Sequence, residues 1–140
     1  MPWFKYQRRC GHYLPVVMIR LGYDGKWSQP IEFLIDSGAS MSFMPRRCVQ
    51  AWIPALQTRQ AQNTGLVDAS GRSMEGVPED FELELVSKPG EMNVKEQIWV
   101  TDGGRWPLLG QSWFEKIGVT FQNFPNRRRF ALYPPPLVHH

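Results

Sequence analysis

No stretch of this 140-residue chain approaches the ~20 consecutive apolar residues that cross a bilayer as a helix, and the opening MPWFKYQRRC is followed by no apolar segment of the signal-peptide kind. The expectation is a cytoplasmic protein with no membrane partner. Cysteine is scarce: Cys10 and Cys48 could form at most one bridge, and free thiols are expected. Histidine is nearly as scarce, with His12 near the start and His139 and His140 at the end. A metal site built from Cys10, His12 and Cys48 lacks any paired Cys-x-x-Cys or His-x-x-x-His spacing, so neither metal nor cofactor is expected. No Gly-rich phosphate loop of the Walker or dinucleotide kind is present, which leaves nucleotide chemistry without a handle. Repeats are absent, and low complexity is confined to Pro134, Pro135 and Pro136.

What the chain does have suits one packed domain spanning 1–140, with an N-terminal segment over about 1–12 and a Pro-rich tail over 134–140. Its hydrophobic content is 42% and its charged content 21%, and a chain of this length can bury roughly two thirds of its unfolded surface. The net charge of +3 is a mild excess, short of a nucleic-acid signature. Much of it lies in the clusters Arg8-Arg9, Arg46-Arg47 and Arg127-Arg128-Arg129, read as solvated loop and terminal charge. A nucleic-acid module using Arg127 to Arg129 with Phe124 and Phe130 is the alternative, and its affinity would fall steeply with salt.

The patterning is mostly β. Leu14 to Leu21 is a first strand, Asp24-Gly25 a hairpin turn, and Pro30 to Ile35 the returning strand. Pro45 to Ile53 reads as a short helix or turn stopped by Pro54. Ala61 to Val77 is polar and small, with Asp68, Ser70 and Gly71 grouped as at a hairpin tip. Phe81, Leu83 and Leu85 alternate with polar residues, and Val94 to Val100 forms the next strand. Ser112 and Glu115 stand in capping-box spacing with Gly118 as a stop, predicting a helix of about two turns. Val119 to Phe121 and Arg129 to Tyr133 close the fold as two strands.

Within this pattern one carboxylate stands out. Phe33, Leu34 and Ile35 form an unbroken apolar run, the mark of a strand buried on both faces, and it delivers Asp36 into Ser37-Gly38 at the strand end. Asp-Ser-Gly is also a common corner, because Asp and Ser bond nearby amides and Gly accepts positive φ.

FLIDSGAS, a Gly-containing hairpin segment downstream and LLGQSWF leading into a short helix together resemble the retropepsin family of aspartic proteases. In that family an apolar strand ends in Asp-Thr/Ser-Gly-Ala, a β-hairpin flap follows, and an apolar-apolar-Gly motif precedes a C-terminal helix. The order of elements matches from roughly Leu14 to Tyr133; only the two short motifs match residue by residue. The tail GVTFQNFPNRRRFALYP is similar to the closing hairpin of small stand-alone bacterial or retroelement-derived members.

The resemblance implies an all-β acid-protease barrel with one short C-terminal helix, assembled as a two-fold homodimer that hydrolyses polypeptide substrates as an aspartic endopeptidase. Asp36 is then catalytic. Ser37, Gly38 and Ala39 support its loop; Val67, Asp68, Ala69, Ser70, Gly71 and Arg72 form the flap; Leu108, Leu109 and Gly110 pack behind the site. Retroviral flaps are richer in Gly and Ile, whereas this segment is polar and carries Asp68 and Arg72. The chemistry needs two carboxylates sharing one proton. This chain supplies a single Asp-Ser-Gly, since Asp24-Gly25 lacks the hydroxyl residue, Asp68-Ala69-Ser70-Gly71 inserts one, and Asp102-Gly103 follows no comparable strand. A two-fold axis would bring a second Asp36. The competing reading from another class is a catalytically silent retropepsin-fold dimer that binds peptides or partner proteins. A subtilisin-like site, with Ser70 as nucleophile, fails because no histidine lies between Asp36 and that serine.

Overall fold

Strand after strand in this chain places large apolar side chains at every second position, and the sheet they form turns back on itself to cover them. The computed structural model describes residues 3–50, 52–53, 60–68, 70–104, 106–118, 120–124, 126 and 129–133. In chain order the strands are β1 (Trp3–Lys5), β2 (Gln7–Arg9), β3 (His12–Leu14), β4 (Val16–Tyr23), β5 (Lys26–Trp27), β6 (Ile31–Ile35) and β7 (Ser42–Pro45). After a 3₁₀ turn over Arg46–Cys48 come β8 (Gln62–Val67), β9 (Ser73–Leu85), β10 (Val94–Thr101) and β11 (Leu108–Leu109). Helix α1 (Gln111–Ile117) precedes β12 (Thr120–Phe124) and β13 (Arg129–Tyr133).

The main sheet runs β5-β4-β6-β11-β7-β10-β9-β8, and a further β4–β9 pairing closes six of these strands into a barrel. Its interior holds Leu21, Phe33, Phe81, Leu83, Ile98 and Leu109, each fully buried. Strand β9 is long enough to serve twice: Ser73 to Gly76 pair with β8, while Val77 to Leu83 pair with β10. A separate sheet runs β1-β13-β12, and β2 and β3 form a two-stranded hairpin.

Several sequence expectations are modified. The strand predicted over Leu14 to Leu21 is broken at Pro15, which has no N–H to donate; its carbonyl instead accepts from Ile35 N–H at 2.8 Å. The strand resumes at Val16 and runs to Tyr23. Asp24 and Gly25 both take positive φ, 51° and 76°, as a two-residue hairpin of the primed kind requires. Cys10 and Gly11 repeat this geometry at 51° and 80°, so part of the presumed N-terminal segment is a hairpin. Leu34 is only half-buried between buried Phe33 and Ile35.

Helix α1 corrects the capping-box expectation. It begins at Gln111 with Gly110 as its N-cap and no side-chain cap bond. The Ser112 hydroxyl donates to Glu96 instead, at 2.8 Å. Gly118 ends the helix in the left-handed region at φ 66°, as its sequence position suggested. Pro54, Val119, Arg127, Arg128 and the tail 134–140 lie outside the described residues. No helix among the described residues is long and apolar enough to cross a membrane.

Candidate active site

Asp36 leaves the end of β6 into a tight bend. Its backbone N–H donates to Leu109 O at 2.9 Å, and its carbonyl accepts from Ala39 N–H at 3.1 Å. The carboxylate folds toward its own loop, Oδ1 accepting from Gly38 N–H at 3.0 Å. The Asp-Ser-Gly corner chemistry therefore operates here, but at a rigid strand end and half-buried rather than on an open surface bend. A Cβ on Gly38 would stand 3.3 Å from Asp36 Oδ1, so glycine keeps the carboxylate uncrowded.

The loop is held from behind by the second motif. Short strand β11 lies between β6 and β7, parallel to the first and antiparallel to the second, with Leu108 opposite both Leu34 and Phe43. Gly110 then passes so close to the loop that an added Cβ would collide with the Met41 carbonyl oxygen and stand 2.7 Å from Ala39 O. Gln111 N–H donates to Ala39 O at 2.8 Å, Ser112 N–H to Ser40 O at 3.1 Å, and the Gln111 side-chain amide to Ser37 O at 2.6 Å. Leu109 is fully buried and Leu108 half-buried, and the Asp36 loop meets this segment through Asp36 at Leu109 and Ala39 at Gly110.

Three comparisons with known proteins were made. No family model matches the chain, and no curated protein matches it. Among solved structures, EIAV protease complexed with the inhibitor HBY-793 is similar over 78% of this chain and 92% of that chain, with a TM-score of 0.51 and 17% sequence identity. The fold is retropepsin-like. At that identity the likeness concerns the fold alone.

The retropepsin-like barrel carries a hairpin formed by β8 and β9, whose turn contains most of the flap residues expected from the sequence. Val67 ends β8 and is 64% exposed; Ala69 lies outside the described residues. Asp68 organises the turn: its Oδ1 accepts from the Ser70 N–H and hydroxyl and from Arg72 N–H at 3.1 Å, while Gly71 N–H donates to Asp68 O at 3.0 Å. The Ser70 hydroxyl above all, then Arg72 N–H, holds the Asp68 carboxyl below its ordinary value. The polar residues that set this turn apart thus build its backbone.

Between this hairpin and the approach to β11 lies a cavity of about 360 Å³. Phe43, Met74, Thr101, Trp106 and Leu108 line it, with Asp68 at its edge. Asp36 is not among its lining residues; the cavity adjoins the Asp36 loop through Leu108, which pairs with Leu34 two residues before Asp36. Trp106 is part of its wall. The far wall is tethered by two arginines: Arg46 Nε bonds Asp102 Oδ1 at 2.6 Å, and Arg47 Nη1 donates to Gly104 O at 2.9 Å. These were expected to be solvated charge, yet the Arg46 side chain is 14% exposed. Arg9 likewise folds back onto Glu32.

Sequence reasoning missed a second set of residues. Ser42, Ser112, Glu96 and Lys116 meet behind the loop, Glu96 being almost fully buried. The spacing of these residues carries no motif, and only the Ser-x-x-Glu pattern drew attention to Ser112, for the wrong reason. Among the described residues no group of His, Cys, Asp or Glu could hold a metal ion. Cys10 and Cys48 are both free thiols.

Proposed function

We propose that the protein is an aspartic endopeptidase working as a two-fold homodimer, with one Asp36 from each subunit. The observation that carries this reading is a single Asp-Ser-Gly-Ala loop at a strand end, seated on a Leu-Leu-Gly strand within a retropepsin-like barrel. EIAV protease, which shares that fold, supports the same reaction class.

Two carboxylates about 3 Å apart share one proton, because like charges so close cannot both ionise. The ionised Asp36 takes a proton from a water held between the pair, while the protonated one donates to the scissile carbonyl oxygen. The oxygen of that water bonds to the carbonyl carbon to give a tetrahedral diol. Collapse of the diol breaks the C–N bond and passes a proton to the leaving nitrogen, yielding a carboxylic acid and an amine. The hairpin turn at 68–72 acts as the flap that closes over an extended peptide and excludes water. The peptide binds as an added strand, and the apolar cavity beside Trp106 and Met74 takes one of its side chains.

The test incubates the parent and Asp36→Asn with a denatured protein and a peptide library across pH ~3.5–7. Cleavage by the parent alone, blocked by a statine-type mimic of the diol, is the expected result. Equal cleavage by Asp36→Asn sinks the proposal, and peptide binding without products favours the silent dimer.

A further inference from the structure

Glu96 is the most deeply buried carboxylate among the described residues, with only 1% of its side chain exposed, and the reaction just described does not use it. It lies on β10, opposite Phe81 of β9, where an unsatisfied charge would be severely penalised. One oxygen, Oε2, accepts from the Ser42 hydroxyl at 2.9 Å and from the Ser112 hydroxyl at 2.8 Å. The other, Oε1, lies 3.0 Å from Lys116 Nζ, an ion pair held by charge without hydrogen-bond alignment. Ser42 opens β7, just beyond the Asp36 loop, and Ser112 belongs to α1, just beyond Gly110.

A serine hydroxyl has one proton to give. In both serines that proton is committed to Oε2, so Ser42 Oγ presents a lone pair elsewhere, and Gly110 N–H donates to it at 3.2 Å. The carboxylate therefore dictates the hydroxyl orientation that receives Gly110, and Gly110 lies against the carbonyls of Ala39 and Met41. Through Ser112 the same oxygen holds the residue whose N–H caps Ser40 O. Both sides of the catalytic loop thus converge on one acceptor atom.

We infer that Glu96 is a positioning residue: it sets the Asp36 loop through the Ser42 and Ser112 hydroxyls, with Lys116 reserving Oε1 so that Oε2 alone serves the two serines. This rests on the aspartic-protease reading. It predicts a specific failure for Glu96→Gln. The amide has one acceptor oxygen and an NH₂ group, and two demands must be met: the hydroxyls need an acceptor, and so does the Lys116 ammonium. Removing the ammonium in Glu96→Gln/Lys116→Met releases the oxygen to the serines.

The experiment measures kcat and KM for the parent, Glu96→Gln and the double variant, well below the melting temperature of each, together with ¹⁵N–¹H amide shifts of Gly38 and Gly110. Glu96→Gln is expected to lower kcat by roughly tenfold or more while KM stays within about threefold, because misplacing the reacting groups costs rate rather than binding. The double variant recovers part of the lost kcat, and the two glycine amides shift in the single variant and return toward the parent in the double. A purely structural contribution would lower thermal stability without that rescue. Unchanged kcat and amide shifts in Glu96→Gln, or a loss that Lys116→Met leaves unrepaired, overturn the inference. Should Glu96→Gln not fold, Ser112→Ala removes one hydroxyl while leaving the charge paired, and carries the same two readouts. If the parent itself cleaves nothing, the protease reading falls, and the amide shifts alone decide the role of Glu96.

Discussion

At the scale of single residues, the site depends on where a side chain cannot be. Gly110 is not needed for an unusual φ; it is needed because the Ala39 and Met41 carbonyls occupy the space of a Cβ. Both obstacles are backbone, which cannot rotate aside as a side-chain end could. Gly110→Ala is therefore expected to cost roughly 2–3 kcal/mol of stability, in the range of core overpacking, read by urea unfolding. A second residue-scale difference concerns the two thiols. Cys10 is exposed in its hairpin turn, whereas Cys48 is half-buried and burial raises its thiol pKa, with nearby Arg47 pulling the other way. Because the thiolate is the reactive form, a maleimide at neutral pH should label Cys10 fast and Cys48 slowly. Mass mapping of the labelled peptides checks this, and equal rates would contradict the environment described for Cys48.

At the scale of elements, the β8–β9 turn is a pH-dependent structure. Asp68 has a folded pKa held below the ordinary 3.8 by hydrogen bonds to its ionised form. The sign follows: its contribution is fully present above that ordinary value and is lost as pH falls through the lower, folded one. The turn at Ser70, Gly71 and Arg72 should thus stay ordered at pH 5 and loosen only below pH 3.8. Amide exchange at Ser70 and Arg72 measures this, and Asp68→Asn should remove the acid-dependent step. A step centred above the ordinary aspartate value would show that these bonds do not hold the ionised form. Elements also explain where sequence reading failed. β7 and β11 are four and two residues long and carry no alternation to detect; each exists because neighbouring strands pair with it. Ser112 sits inside α1, with Gly110 at the N-cap position, so its hydroxyl has no helix start to cap and donates to the buried Glu96 carboxylate instead.

At the scale of the molecule, one chain offers one Asp-Ser-Gly carboxylate at a strand end of this kind. The proposed reaction then makes activity a property of association, so specific activity should rise with protein concentration through the dimer dissociation range and fall on dilution. Parallel sedimentation and activity measurements check this; full activity in a strictly monomeric sample would remove the shared-dyad mechanism. Adding Asp36→Asn chains to the parent should depress activity beyond simple dilution, because a mixed dimer has one carboxylate at its axis.

The sequence by itself determined the all-β character, the hairpin turn at Asp24-Gly25, the stop at Gly118 and the apolar strand that carries Asp36 to its end. Each follows from near neighbours along the chain: side-chain alternation, positive-φ residues and a helix terminator. Only the tertiary structure decided that the barrel closes through β4 and β9, that Arg46 and Arg47 tether a cleft wall, and that Glu96 gathers Ser42, Ser112 and Lys116 behind the loop. The partners in those side-chain contacts are 16 to 57 residues apart, and no local pattern in a single chain encodes such pairings. The Glu96 contacts form because burial leaves a charge or hydroxyl no water to bond, so each must find whatever donor or acceptor the fold brings beside it.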